Sequence, residues 1–408
     1  MDVEGGSGAR PAGELPVVNT HVHLPPNFSA FASVEDAVDT AAAEGARVLG
    51  SSNFFDQRVY RRFAELAGAA GIVPLFGLEC ISVLDDLDVA GVRVNDPANP
   101  GRMYICGKAV DPFAEPTPLA RRLSAAIRAS GEDRMRAMIP RLCDRFVEAG
   151  LDTGLTYDAV AAAVAARAGV PADWVVLQER HVAMAFQQAL FARASSGGRA
   201  EVLAQAFGGD APAVADEPVA VQEQIRARLM KAGRAAFVPE SPVSFDEAYR
   251  LVVEMDGIPC YPTLADGTDP VCPWEDPPDE LAARLRERGI LCAELIPNRN
   301  TREAVDAYVR AFRGAGIIVL AGTEHNTQNR VPIEPRCVDG GRPSDMAREA
   351  FWEGTCVVAA HQLLRASGRP GYVDRSGLPV AGERGAEARI RELREIGAER
   401  IGAPVVTG

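Results

Sequence analysis

The chain has 408 residues, 47% of them hydrophobic and 24% charged, and a formal net charge of −13. Such a composition supplies ample apolar material for a large core and excludes global disorder. The acidic balance repels phosphate backbones and so argues against broad nucleic-acid binding, and no window approaches the ~18 consecutive apolar residues of a transmembrane helix.

Residues 1–13 are Gly-rich and acidic, lack a basic-then-apolar leader, and are expected to be disordered. From residue 15 a unit recurs: a short apolar run, a polar turn, an amphipathic helix. Strands are predicted at 16–19, 47–50, 72–76 and 104–106, and again at 258–261, 292–296 and 317–321. They are short and do not alternate, as expected of strands covered on both faces. Helices are predicted between them. Ser33 with Asp36 starts one that Gly45 stops, and residues 57–70 form the next. Ser244 with Glu247 starts another, and residues 279–288 and 301–313 follow. This alternation predicts parallel β/α units.

Between the fourth and fifth strands the rhythm breaks. Residues 116–240 are Ala- and Arg-rich, with helices predicted at 119–129, 133–149, 157–168, 180–194 and 219–232. The reading is an α/β chain: a seven-stranded TIM-like β/α barrel in two parts, 14–115 and 241–335, with a helical insertion at 116–240 and C-terminal helices in 336–408. Within the last region, residues 344–366 form a helix expected to pack on the barrel. A charged helix at 383–401 is read as a surface or oligomer element. The eight cysteines show no Cys-x-x-Cys spacing, which predicts a reducing, cytoplasmic setting without a zinc ribbon.

There are only five histidines. His21 and His23 form His-x-His directly after the first strand, where residues two apart point to one side. Two imidazoles on one side, at the C-terminal mouth of a barrel, form a chelate for a divalent metal. Glu79 ends the third apolar run, and Glu324 and His325 follow the seventh. Strand ends one, three and seven then supply convergent ligands. Arg299 follows the sixth strand and suits a phosphate or carboxylate, and Glu294 lies on that same strand. Lys108 after the fourth strand is expected to face the mouth, Arg180 is a further anion candidate, and His361 is read as structural.

These motifs resemble the PHP family, named for polymerase and histidinol phosphatase domains. His21 and His23 match its His-x-His motif, and Gly77-Leu78-Glu79 its Gly-[Ile/Leu]-Glu. Gly322-Thr323-Glu324-His325 is close to its late Gly-Ser-Asp-x-His. Arg180-His181-Val182-Ala183-Met184-Ala185 resembles the Arg-Pro-His segment of family members with a helical insertion. The resemblance implies a distorted seven-stranded barrel holding metal through His21, His23, Glu79, His181 and His325. Glu324 would bind metal or position water, and Arg299 would orient a small anionic substrate. The implied activity is a phosphoesterase reaction in which one or two Mn, Fe or Zn ions generate a hydroxide at neutral pH.

The chain departs from the family at several points. Where members carry Thr-Asp-His after the second strand, this sequence reads Ser51-Ser52-Asn53-Phe54-Phe55-Asp56. Where Ala-His-Pro ends the fifth strand, it reads Tyr261-Pro262-Thr263. A full three-metal site is therefore not expected. Two rival readings follow: a barrel that has lost catalysis and serves as a binding or scaffold protein, and an amidohydrolase-like metal enzyme. The second ranks lower because no suitable lysine is evident on a middle strand.

Overall fold

The computed structural model describes residues 14–210, 212–380 and 385–402; the N-terminal stretch predicted to be disordered lies outside them. All seven predicted strands form: β1 (Val17–Val22), β2 (Ala46–Phe54), β3 (Val73–Val83), β4 (Arg102–Lys108), β6 (Ile258–Thr263), β7 (Cys292–Leu295) and β8 (Ile318–Ala321), joined in that order. A two-residue strand, β5 (Val243–Ser244), pairs with the far end of β3. Backbone contacts between β1 and the segment after β8 nearly close the barrel: Glu324 N–H donates to the His21 carbonyl at 2.8 Å, and His23 N–H to the Glu324 carbonyl at 2.8 Å.

The expectation of uniformly parallel strands fails at β4, which runs antiparallel to both β3 and β6. Parallel neighbours need a crossover, usually a helix, that carries the chain back to the starting end. After β3 the chain makes only the five-residue helix Asp85–Val89, and its loop folds on itself, with Leu84 N–H bonded to the Gly101 carbonyl at 2.9 Å. The strand therefore returns from the end at which β3 stopped. Lys108, its last residue, pairs with Gly77 and with Ile258 at the start of β6. It thus lies deep in the barrel and not at the mouth.

Local sequence sets the helix ends. Ser33 Oγ accepts from Asp36 N–H, and Ser244 and Glu247 form a reciprocal capping box; each such cap contributes about 1 kcal/mol. Helix Asp345–Ala366 packs its Val357, Ala360 and Leu364 against Val18, Val48, Cys260 and Leu320, most of them early strand residues, and so covers the end of the barrel away from the histidines. The last helix, Ala386–Gly402, docks on it through Leu393 and Ile401. Its apolar face is therefore covered within the chain.

Between β4 and β5 the helices Pro118–Glu148, Tyr157–Ala168, Glu179–Arg193, Ser196–Phe207 and Pro218–Ile225 share a core of their own. The two helices predicted at 119–129 and 133–149 are one 31-residue helix. Gly131 lies inside it, and the bare backbone there makes room for the ring of Phe55, which a Cβ would meet at 2.9 Å. Helix Ser196–Phe207, which opens on two glycines, was missing from the sequence reading. No helix of the described residues is long and apolar enough to cross a membrane.

Candidate metal centre

The end of β1 leaves its regular pairing with β2 between Asn19 and Val22. Around this irregularity His21 and His23 turn their rings to the barrel interior, with centroids 5.1 Å apart. Gly322 allows the approach: a Cβ there would land on the Cβ of His21. Glu79 reaches in from β3, where it pairs with Phe54 and Cys106.

The three side chains converge. His21 Nε2 lies 3.4 Å from His23 Nε2 and 3.5 Å from Glu79 Oε2, and His23 Nε2 lies 3.2 Å from that oxygen. Ligands held at ~2.0–2.1 Å from one ion at tetrahedral angles sit about 3.3–3.4 Å apart, so the triangle has the size of a metal face. Glu79 Oε2 is buried without a hydrogen-bond donor, which suits an oxygen meant for a cation. The face of His23 stacks on Phe54 at 5.3 Å. These residues fit a divalent metal.

A second layer fixes the first. Glu294 Oε2 lies 2.6 Å from His21 Nδ1, and Glu294 Oε1 accepts from Thr20 Oγ1 at 2.7 Å. A carboxylate on Nδ1 selects the tautomer that presents the Nε2 lone pair to a metal. Lys108 Nζ lies 2.8 Å from each Glu294 oxygen and also donates to the Thr20 carbonyl and Ser52 Oγ, both at 3.1 Å. Burial would raise the Glu294 pKa, but Lys108 and His21 hold it at about 2. Burial likewise opposes ionisation of Glu79, and His21 and His23 overcome it, again to about 2. Burial and the Lys108 charge disfavour a proton on His21, yet Glu294 raises its pKa well above the ordinary value.

The other predicted ligands lie elsewhere. His325 has both ring nitrogens engaged, Nδ1 with Thr323 Oγ1 at 2.7 Å and Nε2 with the Val331 carbonyl at 3.0 Å, and its ring stacks on Phe31 at 4.7 Å. His325 and Glu324 adopt positive φ, 50° and 59°, a turn that swings the imidazole away from the triangle. His181 accepts the Gln178 N–H at 3.1 Å to cap its own helix, and its ring packs on Phe28. Burial lowers the pKa of His181 to about 3 and that of His325 to about 4. Glu324 is outside the triangle too: Arg299 Nη1 donates to its Oε1 at 3.0 Å, and a second contact makes the pair bidentate. Asn53, in the segment that lacks Asp-His, instead binds both backbone groups of Leu24, at 2.8 and 2.9 Å.

A cavity of about 800 Å³ lies between the strand ends and the inserted helices, within the ~300–1,000 Å³ range of small-molecule sites. Glu79, Phe54 and Tyr104 line it from the barrel; Arg180 and Arg226 line it from the insertion; Arg299 and Glu324 lie on its wall. Arg180 and Arg226 share Glu223, the latter pair at 2.8 Å, and Arg226 also reaches Glu179 at 3.8 Å. Burial and the Arg226 charge lower the Arg180 pKa, as expected where guanidinium groups crowd together.

Lys108, expected to face the mouth, and Glu294, noted only as lying on the strand before Arg299, are interior residues together with Thr20 and Ser52, which the sequence did not single out. One signal was present: a single acidic residue within Cys292-Ala293-Glu294-Leu295 and a lysine closing an apolar strand, each requiring an opposite charge if buried. Lys108 is a lysine on a middle strand, β4, contrary to the expectation that none is there; its ammonium is bound to Glu294 and does not join the triangle.

No protein-family model matches the chain, and no curated protein matches its sequence. Among solved structures it resembles a protein from Bifidobacterium adolescentis provisionally described as a metal-dependent phosphoesterase. The TM-score is 0.52 at 15% identity, over 82% of this chain and 94% of that one. An amidohydrolase from Chromobacterium violaceum, solved with sulfate and no metal, gives a TM-score of 0.47 at 14% identity, over 80% and 98% of the two chains, too loose a match to argue from. At these identities the likeness shows the barrel fold and nothing finer.

Proposed function

We propose that this chain is a PHP-like metal-dependent hydrolase acting on a small phosphoester. The observation that carries the reading is the buried triangle of His21, His23 and Glu79, backed by Glu294 and lying beside a cavity of small-molecule size. A divalent ion held there supplies Lewis acidity to a water and to the oxygens of the scissile group.

The chain's own groups divide the remaining work. Glu294 holds the His21 ring and its Nδ1 proton. Arg299 lies on the cavity wall with its fork on Glu324, and it would take up an anionic substrate by exchanging that carboxylate for the substrate's anionic group. Arg180 and Arg226 add positive charge on the side of the insertion, so the substrate's anionic group lies between Arg299 and these two. The inserted helices limit the access of water.

The test is metal content of the purified protein, for the wild type and for His21→Ala/His23→Ala, followed by a phosphoester panel. Metal in the wild type that is lost in the variant, with turnover of a phosphoester, supports the reading. Equal metal in both proteins, or none after reconstitution with Mn, Fe and Zn, overturns it. A second reading, a metal-holding protein without catalysis, has one observation in its favour: in the segment where the resembled family carries Asp-His, Phe54 stacks on His23 and Asn53 is bound to the Leu24 backbone, so neither offers the triangle a further ligand. Metal without turnover of any phosphoester or amide selects it.

A further inference from the structure

Beside the triangle, and sharing His21 with it, lies a second set of groups with ligand chemistry. A ring nitrogen of His21, the Cys106 sulfur and a carboxylate oxygen of Glu294 lie within 4.8 Å of one another, all buried. Imidazole, thiolate and carboxylate together suit zinc or cobalt. A cation is already present there. Lys108 Nζ sits 2.8 Å from both Glu294 oxygens, and its other contacts reach β1 through the Thr20 carbonyl and β2 through Ser52. Entering from β4, the ammonium is tied to three further strands, so its position is fixed by the barrel itself. It is 2% exposed and Glu294 is fully buried.

We propose that Lys108 is a built-in cation standing in the place of a second metal ion. It limits the centre to one metal and holds Glu294 against His21 Nδ1. The inference rests on the reading of His21, His23 and Glu79 as a metal site. Charge balance argues the same way. Glu79 and Glu294 carry two negative charges and Lys108 one positive, so a single divalent ion leaves the centre net positive, as an anionic substrate requires. A second divalent ion beside the ammonium would meet a like charge in a buried site, where repulsion is poorly screened. Lys108 is therefore a positioning residue that acts through Glu294.

Cobalt tests this, because a cobalt–thiolate bond produces a charge-transfer absorption in the near ultraviolet. The wild type is expected to bind one cobalt per chain without that band. Lys108→Met should bind two and show the band, and Lys108→Met/Cys106→Ser should lose it. If Lys108→Met does not fold free of metal, its recovery is followed against added cobalt, with the break expected at two equivalents. Two cobalts in the wild type, a single cobalt without the band in folded Lys108→Met, or recovery that is complete at one equivalent or never occurs, overturns the inference and leaves the metal site standing. No cobalt in the wild type overturns both.

Discussion

Lys108 and Glu294 form a buried ion pair on β4 and β7, with the ammonium 2.8 Å from both carboxylate oxygens. Both residues are essentially removed from water. Such a pair adds little net stability over an apolar one, but breaking it is costly because one charge is left uncompensated. Glu294→Gln should therefore destabilise the protein by about 3–5 kcal/mol and, by loosening the hold on His21 Nδ1, lower metal affinity roughly 10–100-fold. Lys108→Met/Glu294→Gln should be more stable than the two single variants predict together. Urea unfolding and chelator competition measure both; unchanged affinity in Glu294→Gln would show that His21 does not depend on this carboxylate.

Gly322 tests the geometry of the triangle without touching a ligand. Its missing Cβ is what lets β8 approach His21. Gly322→Ala should cost about 1–3 kcal/mol as an overpacked site, and it should weaken metal binding because His21 must shift. Stoichiometric metal at wild-type affinity in this variant would mean that the β1–β8 junction is softer than the close approach implies.

Arg299 is one-third exposed and paired with Glu324. If it holds the substrate's anionic group, Arg299→Gln should raise KM for a phosphoester about 10–100-fold, the loss of one or two charged hydrogen bonds. Lysine should rescue poorly, lacking the planar fork. Steady-state kinetics on both variants decide this, and an unchanged KM removes Arg299 from the substrate site.

His361 governs part of the acid stability. Its Nδ1 accepts the Tyr372 N–H at 2.9 Å and its Nε2 donates to the Asp256 carbonyl at 2.8 Å, so folding requires the neutral ring. Burial, aided by Arg389, lowers its pKa from 6.5 to about 3. A depressed folded pKa means that stability is full above the unfolded value and is lost as pH falls from 6.5 toward 3. At pH 5 the loss is about 2 kcal/mol. His361→Gln should make unfolding free energy depend less steeply on pH across that window, by close to one proton. A slope equal to that of the wild type would assign the acid sensitivity to other groups, His181 and His325 first among them.

The sequence by itself determined what local chemistry can write. Seven apolar runs became seven strands, because short runs bounded by polar turns have few other ways to be covered. Ser33 and the Ser244–Glu247 box marked helix starts that formed as read. His21 and His23 were legible because they stand at the end of β1, whereas Glu79, expected at a strand end, lies inside the longer β3, where it pairs with Phe54 and Cys106, and reaches them across the sheet. What depends on residues far apart was decided only by the tertiary structure. The reversal of β4 sank Lys108 into the barrel opposite Glu294, 186 residues away in sequence. The left-handed turn at Glu324 and His325 took a carboxylate and an imidazole out of the triangle and gave them to Arg299, Thr323 and Val331. A motif fixes which groups a strand end offers, but where each side chain points depends on the neighbours that must satisfy its hydrogen bonds and charge once water is gone.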